Sequence, residues 1–166
     1  KAISSWHVGV AAEAFAAALF ARLGYDVSVQ YGANQPEYDL IAVSGDKMLK
    51  ISGSQDGGWG LTQSYKKGCD YQEAIQKWLS NHHKKTIFCL VQFKGTEDHE
   101  MPRMYLASPV EIAEDKKNPG GRGETILYEY HEWGPRAAGR GTIDRVPDEW
   151  RFTAERAKDM FETYGQ

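Results

Sequence analysis

The stretch QPEYDLIAVSGDKMLKISGSQ, from Gln35 to Gln55, decides the fold of this chain. Its pattern predicts a β-hairpin, in which an apolar run from Tyr38 to Val43 is followed by a turn and a second run from Met48 to Ser52. The turn is Ser44-Gly45-Asp46, and its glycine supplies the positive φ that a tight connection needs. We therefore interpret the rest of the chain as built around this hairpin.

Polar residues lie at two ends of the predicted hairpin. Asp39 opens the first strand, whereas Ser52 and Ser54 close the second. A carboxylate at the start of one strand and hydroxyls at the end of its partner form a candidate site. Asp39 is the best candidate for a chemically active residue.

A long helix is predicted over residues 4–23, with a serine as N-cap and apolar residues at helical spacing. Glu13 is the one acidic residue in this apolar segment. Burying an unpaired carboxylate costs several kcal/mol, so Glu13 is expected to be exposed, paired or bound to a cation. The alternative is that Glu13 lies on a narrow solvent stripe beside Gly9 and Ala17.

The remaining pattern predicts a single α/β domain over residues 1–166, with a mixed sheet flanked by helices. A second helix is expected at residues 70–81 and a strand covered on both faces at residues 86–93, where TIFCLVQF is continuously apolar. A glycine-rich loop over residues 54–62 holds Trp59. This loop is either mobile over a ligand or an ordinary loop with the tryptophan as a plug.

Composition limits the classes of protein. The 166 residues carry a net charge of −3, so the chain has no overall positive charge to attract nucleic acid. This composition does not exclude a local basic patch. No apolar run approaches the roughly 20 residues of a membrane span. Cys69 and Cys89 have no zinc-type spacing, which predicts reduced thiols in a cytoplasmic protein.

The two acids carry the chemical argument. Glu13 and Asp39 fall on neighbouring predicted elements, and Mg²⁺ prefers one or two carboxylates together with water and phosphate oxygens. Such a site lowers the pKa of a bound water and stabilises the charge of a phosphodiester under attack.

The order of a helix with Glu13, a strand, Tyr38-Asp39 leading a hairpin and Lys50-Ile51-Ser52 on the returning strand resembles the PD-(D/E)xK nuclease superfamily. The likeness is to its Holliday-junction-resolvase-like branch, and it covers residues 5–95, with residues 96–166 as a C-terminal extension. It implies a restriction-endonuclease-like fold, cleavage of DNA, Mg²⁺ or Mn²⁺ as cofactor, and a homodimer.

The resemblance also implies roles for single residues. Glu13 and Asp39 take the metal-binding roles, and Ser52 stands where the family has a second acid. Gln63 corresponds to a polar residue that contacts the substrate. The family lysine falls at position 54, where this chain has Ser54, and Lys50 is a poor substitute on the wrong side of the motif.

Two explanations of the missing lysine are open. The chain is a relative that binds without cleaving, or one or two residues are missing between Ser52 and Gly53, which would explain a strand that looks short for its partner. Three alternatives for the function are therefore open. The chain is a metal-dependent nuclease, a nuclease-fold module that binds nucleic acid or protein without catalysis, or an unrelated α/β domain.

Two basic segments are candidate phosphate contacts. They are Lys66-Lys67 and the loop from Arg136 to Arg145.

Overall fold

The computed structural model describes residues 2–29, 40–42, 47–61, 71–82, 85–115, 126–134 and 143–162. Within these ranges a five-stranded sheet has helices on both faces, as the sequence predicts for a mixed α/β fold. None of the helices described combines the length and the apolar content that a membrane crossing requires.

The first helix, α1 (Ser5–Arg22), forms as the sequence predicts. Ser4 is its N-cap, and a reciprocal pair of hydrogen bonds joins Ser4 to His7, which occupies the third helical position. The helix ends at Arg22, and Gly24 just beyond it has a φ of 90°, the left-handed conformation that glycine adopts most readily.

Three antiparallel strands follow α1. They are β1 (Val27–Val29), β2 (Leu40–Ala42) and β3 (Met48–Ser54), paired in chain order. The hairpin predicted from the sequence is thus present as the β2–β3 pair, with Leu40 opposite Leu49. The residues predicted to form its turn lie outside the described ranges.

The strand β3 is not short, contrary to our expectation. It has seven residues, and each pairs in parallel register with a residue of β5 (Thr86–Gln92). The register runs without a bulge through Ser52 and Gly53, opposite Leu90 and Val91. Every residue of β3 from Met48 to Ser54 thus has a partner on β5.

The strands β3 and β5 are connected through a short strand, β4 (Gly58–Gly60), and the helix α2 (Tyr71–Ser80). Every residue of β5 is buried, which confirms the prediction of a strand covered on both faces. Because parallel strands need a crossover, α2 is the element that brings the chain back to the start of β5.

The chain beyond β5 adds one strand to the main sheet and several smaller elements. These elements are β6 (Arg103–Ala107), α3 (Pro109–Asp115), β7 (Ile126–Tyr128), β8 (Tyr130–Glu132), β9 (Ile143–Arg145), a 3-10 turn (Asp148–Trp150) and α4 (Ala154–Glu162). The sequence TILYEYH over residues 125–131 has the β-branched and aromatic composition of one strand, and a single strand is predicted from it. The structure has two, because the chain changes partner at Glu129: β7 pairs with β4, and β8 pairs with β9.

Two apolar clusters hold the sheet between its helices. The first lies under α1 and α4 and includes Phe20 and Phe161. The second lies under α2 and α3 and includes Trp78 and Ile112. Because side chains alternate along a strand, β5 and β6 each contribute to both clusters, and the sheet separates one cluster from the other.

Candidate functional site

The strand β3 presents two different faces. Leu49 and Ile51 are buried in the cluster under α1, whereas Lys50 and Ser52 line a cavity on the α2 side and are half-buried. This separation follows from the two-residue period of a strand. The structure therefore brings Lys50 and Ser52 together.

Helix α1 packs closely against β3 at Gly53. A Cβ atom built on Gly53 would lie 2.9 Å from Cβ of Ala12 and 3.0 Å from the carbonyl oxygen of Val8. Contacts this short do not occur between real Cβ atoms and their neighbours, so the close packing of α1 requires glycine at this position. Glu13 follows Ala12 in the chain.

Glu13 lies on a half-buried strip of α1 together with Gly9 and Ala17. This strip is neither fully exposed nor fully buried, and the metal-binding role of Glu13 stays a prediction. Since α1 covers the face of the sheet opposite to the cavity, Glu13 belongs to the helix on the far side of the sheet from the cavity that Ser52 lines.

Several predicted site residues lie outside the described ranges. These are Asp39, Gln63, Lys66, Lys67, Arg136 and Arg140. Leu40, the residue after Asp39, pairs with Leu49 of β3. Arg145 is described, and it forms an exposed ion pair with Asp148 at 3.3 Å, which is typical of a solvated surface charge.

Ser54 holds the turn that follows β3. Its side chain is buried, and its hydroxyl donates a hydrogen bond of 3.0 Å to Oδ1 of Asp56. The same oxygen accepts a hydrogen bond from the backbone N–H of Gly58 at 3.2 Å. Ser54 thus places a hydroxyl that stabilises a turn at the end of β3.

The carboxyl end of β5 contributes a residue that the sequence analysis missed. Gln92 pairs with Ser54 in register and is fully buried, and its Oε1 accepts hydrogen bonds from the backbone N–H groups of Gly57 and Lys94. Its Nε2 has no hydrogen-bond partner among the described residues. A glutamine at the end of the apolar run TIFCLVQF was the signal that could have identified it.

A cavity of about 330 Å³ lies against Lys50 and Ser52, and we call it the aromatic cavity. Its lining residues are Lys50, Ser52, Trp59, Gly60, Leu61, Trp78, His82, Phe88 and Leu90. Trp59 is buried in its wall, and its Nε1 donates a hydrogen bond of 3.0 Å to the backbone oxygen of Ser52. Of the two interpretations of the glycine-rich loop, the structure favours the one with this tryptophan as a plug.

A second cavity, of about 550 Å³, lies beside the N-terminal half of α1. Phe15 and Phe93 give it an apolar floor, and the loop after β5 gives it acidic side chains such as Glu97 and Asp98. Among the described residues, no group of three or more His, Cys, Asp or Glu side chains has the geometry to hold a metal ion.

A network of hydrogen bonds connects β6 to Glu129, the residue between β7 and β8. Nε and Nη2 of Arg103 donate to the carboxylate of Glu129 at 2.7 and 2.8 Å, and the hydroxyl of Tyr105 donates to it at 2.6 Å. Burial alone would raise the pKa of Glu129, but these hydrogen bonds outweigh it and hold the pKa below its ordinary value. Burial and the bond to Glu129 raise the pKa of Tyr105 to about 12.

We compared the chain with family models, with curated proteins and with solved structures. None of the three comparisons gives a match.

Proposed function

We propose that this chain is a metal-dependent nuclease with a restriction-endonuclease-like fold, which cleaves phosphodiester bonds in DNA. The order of elements supports the proposal. A helix is followed by three antiparallel strands, a crossover helix and a strand parallel to the third, so the described core has the arrangement on which the resemblance to the PD-(D/E)xK superfamily depends.

The observation that carries the proposal is the close contact between α1 and β3 at Gly53. Glu13 and Ser52 each stand next to a residue of this contact, since Glu13 follows Ala12 and Ser52 precedes Gly53.

The donor atoms proposed for the site are oxygens, which suits Mg²⁺ or Mn²⁺. Glu13 and Asp39 would hold the ion, and Ser52 would orient a water or a phosphate oxygen. When bound, the ion supplies a water of lowered pKa and compensates negative charge on the phosphate. Because Ser54 replaces the family lysine, no amine at that position helps to deprotonate the water.

The test is cleavage of supercoiled plasmid DNA in Mg²⁺ or Mn²⁺, with EDTA as the metal-free control. We expect Glu13→Gln and Asp39→Asn each to abolish nicking, and Glu149→Gln, which neutralises an exposed acid outside the proposed site, to cut like wild type. A wild-type protein that does not cut, or an Asp39→Asn variant that cuts equally well, would refute catalysis by this site.

A second candidate is a nuclease-fold module that binds nucleic acid or a protein partner without cleaving. The observation in its favour is Ser54, which is buried and donates to Asp56 where a catalytic lysine is expected. Retained DNA binding with no cleavage product in either metal would select this candidate over the nuclease.

A further inference from the structure

The aromatic cavity has the walls of a site for a flat ring. Trp78 and Phe88 lie with their ring centroids 5.6 Å apart and 31° between their planes. The ring of His82 packs against both, at 4.7 Å from Trp78 and 5.1 Å from Phe88. Because these rings hold one another in place, the wall is ordered before any ligand arrives, which reduces the entropy lost on binding.

Trp59, which also lines the cavity, is held in place as well. Trp59 is buried, its indole N–H is bonded to the backbone of Ser52, and its ring packs edge-on against Tyr105 at 6.2 Å. Nucleobases stack on such aromatic side chains with little dependence on sequence, since every base has a π face.

The polar residues that line the cavity favour a negatively charged ligand. Lys50 and Ser52 are half-buried, so a cation and a hydroxyl lie beside the aromatic rings, and none of the lining residues described is acidic. A cationic and aromatic lining favours a ligand that is both flat and anionic. A ligand of that kind is a nucleotide, with its base on the rings and its phosphate on the lysine.

The volume limits how much nucleic acid enters. Ligand pockets span about 300–1,000 Å³, so a cavity of about 330 Å³ is at the lower end of that range. It has room for one nucleotide but not for a stacked base pair, whose bases would first have to separate.

We propose that the aromatic cavity binds one unpaired nucleotide, with its base against the aromatic lining and its phosphate on Lys50 and Ser52. This inference rests on the proposed function and specifies its substrate class: a DNA single strand, or a duplex with an unpaired end or flap. A fully paired duplex does not fill the cavity.

The test measures binding in EDTA, where metal-dependent cleavage cannot occur. Fluorescence anisotropy compares a labelled single-stranded oligonucleotide with a blunt duplex of the same sequence. We expect the single strand to bind about 5- to 100-fold more tightly, the range that stacking of one base provides.

Two variants test the cavity without removing a core ring. Lys50→Met keeps the aliphatic stem and removes the charge, so it should weaken single-strand binding and lower the salt dependence by about 0.7 in the log–log slope, the value for one phosphate contact. Ser52→Leu fills the cavity and should weaken binding to the level of the duplex. Lys158→Met, at an exposed lysine of α4, is the matched control and should bind like wild type.

Equal affinity for single strand and duplex, or wild-type binding by both cavity variants, would overturn the proposal. The outcome is separable from that of the nuclease test. If the protein prefers single strands but does not cleave DNA, the cavity proposal is supported and the nuclease proposal is refuted. If the protein cleaves duplex DNA and the Lys50→Met variant cleaves and binds like wild type, the nuclease proposal is supported and the cavity proposal is refuted.

Discussion

The two faces of β3 show how one strand can serve two purposes. Toward α1 it presents Leu49, Ile51 and Gly53, and the helix packs so closely that not even a methyl group fits on the glycine. Toward α2 it presents Lys50 and Ser52, which line a cavity instead of filling it. The closed face fixes the position of the strand, and this allows the open face to remain polar.

The difference concerns free energy as well as shape. Apolar side chains buried against a helix stabilise the fold through the area they remove from water. A half-buried lysine or serine contributes little in this way, so Lys50 and Ser52 should matter less for stability than the apolar residues on the other face. The variants below test this division.

The largest effect is expected in the middle of the closed face. Phe20 is fully buried and packs edge-on against Phe152 and Phe161, with centroid distances of 4.8 and 5.3 Å. Phe20→Ala should lower the free energy of unfolding by about 3–5 kcal/mol, measured by urea denaturation. Val10→Ala, at an exposed position of the same helix, should change it by less than about 0.5 kcal/mol.

The next effect concerns the contact between α1 and β3. Gly53→Ala places a methyl group against the backbone of Val8 and should destabilise the protein by about 1–3 kcal/mol through overpacking. Gly60→Ala is the matched control, because an added Cβ there meets nothing within 4 Å. If Gly53→Ala and Gly60→Ala change the free energy of unfolding equally, α1 does not pack against Gly53 as closely as described here.

A smaller effect, dependent on pH, is expected on the open side, where Tyr105 belongs to the cluster that supports Trp59. The pKa of Glu129 is lower in the folded than in the unfolded chain, so its contribution is complete above the ordinary glutamate pKa of about 4.3 and is lost as the pH falls through the folded value. At pH 7, Glu129→Gln should cost about 1–2 kcal/mol, a modest amount because Arg103 is partly exposed.

Urea denaturation of wild type and Glu129→Gln at pH 7 and near pH 3 checks this sign. The difference between the two proteins should be largest at pH 7 and should shrink at pH 3. A constant difference at both pH values would mean that the carboxylate charge does not stabilise the network.

The smallest effect on stability is expected at the residues that line the cavity. Lys50→Ala should change the free energy of unfolding by no more than about 0.5 kcal/mol, because the side chain is half-buried and lies beside a cavity. A loss comparable to that of Gly53→Ala would show that Lys50 is structural, and the contrast between the faces of β3 would then fail.

Much of the fold could be predicted because local patterns and tertiary packing agree. The apolar period of α1, the hairpin and the continuous run of β5 each determine one element, and the structure confirms all three. The division of residues 125–131 into two strands could not be predicted. It depends on which distant segment each half pairs with, and no local pattern records that β4 is the partner of β7.

The candidate site was less predictable, for a similar reason. The alternation along β3 indicated that Lys50 and Ser52 share a face, but not that Trp78 and Phe88 would meet them there, since those rings come from α2 and β5. Gln92 was missed because it was grouped with an apolar run, and only the register with Ser54 reveals its place beside the β3 turn. The joint site of Glu13 and Asp39 stays a prediction.

The uninterrupted burial of β5 has a consequence for handling the protein. Its apolar, β-prone segment is harmless while β3 and β6 occupy both of its edges. A partly unfolded chain that releases either neighbour exposes an uncharged edge able to pair with the same segment of another molecule. We therefore expect losses during purification to follow from self-association of this strand, and to depend more steeply on protein concentration than unfolding itself does.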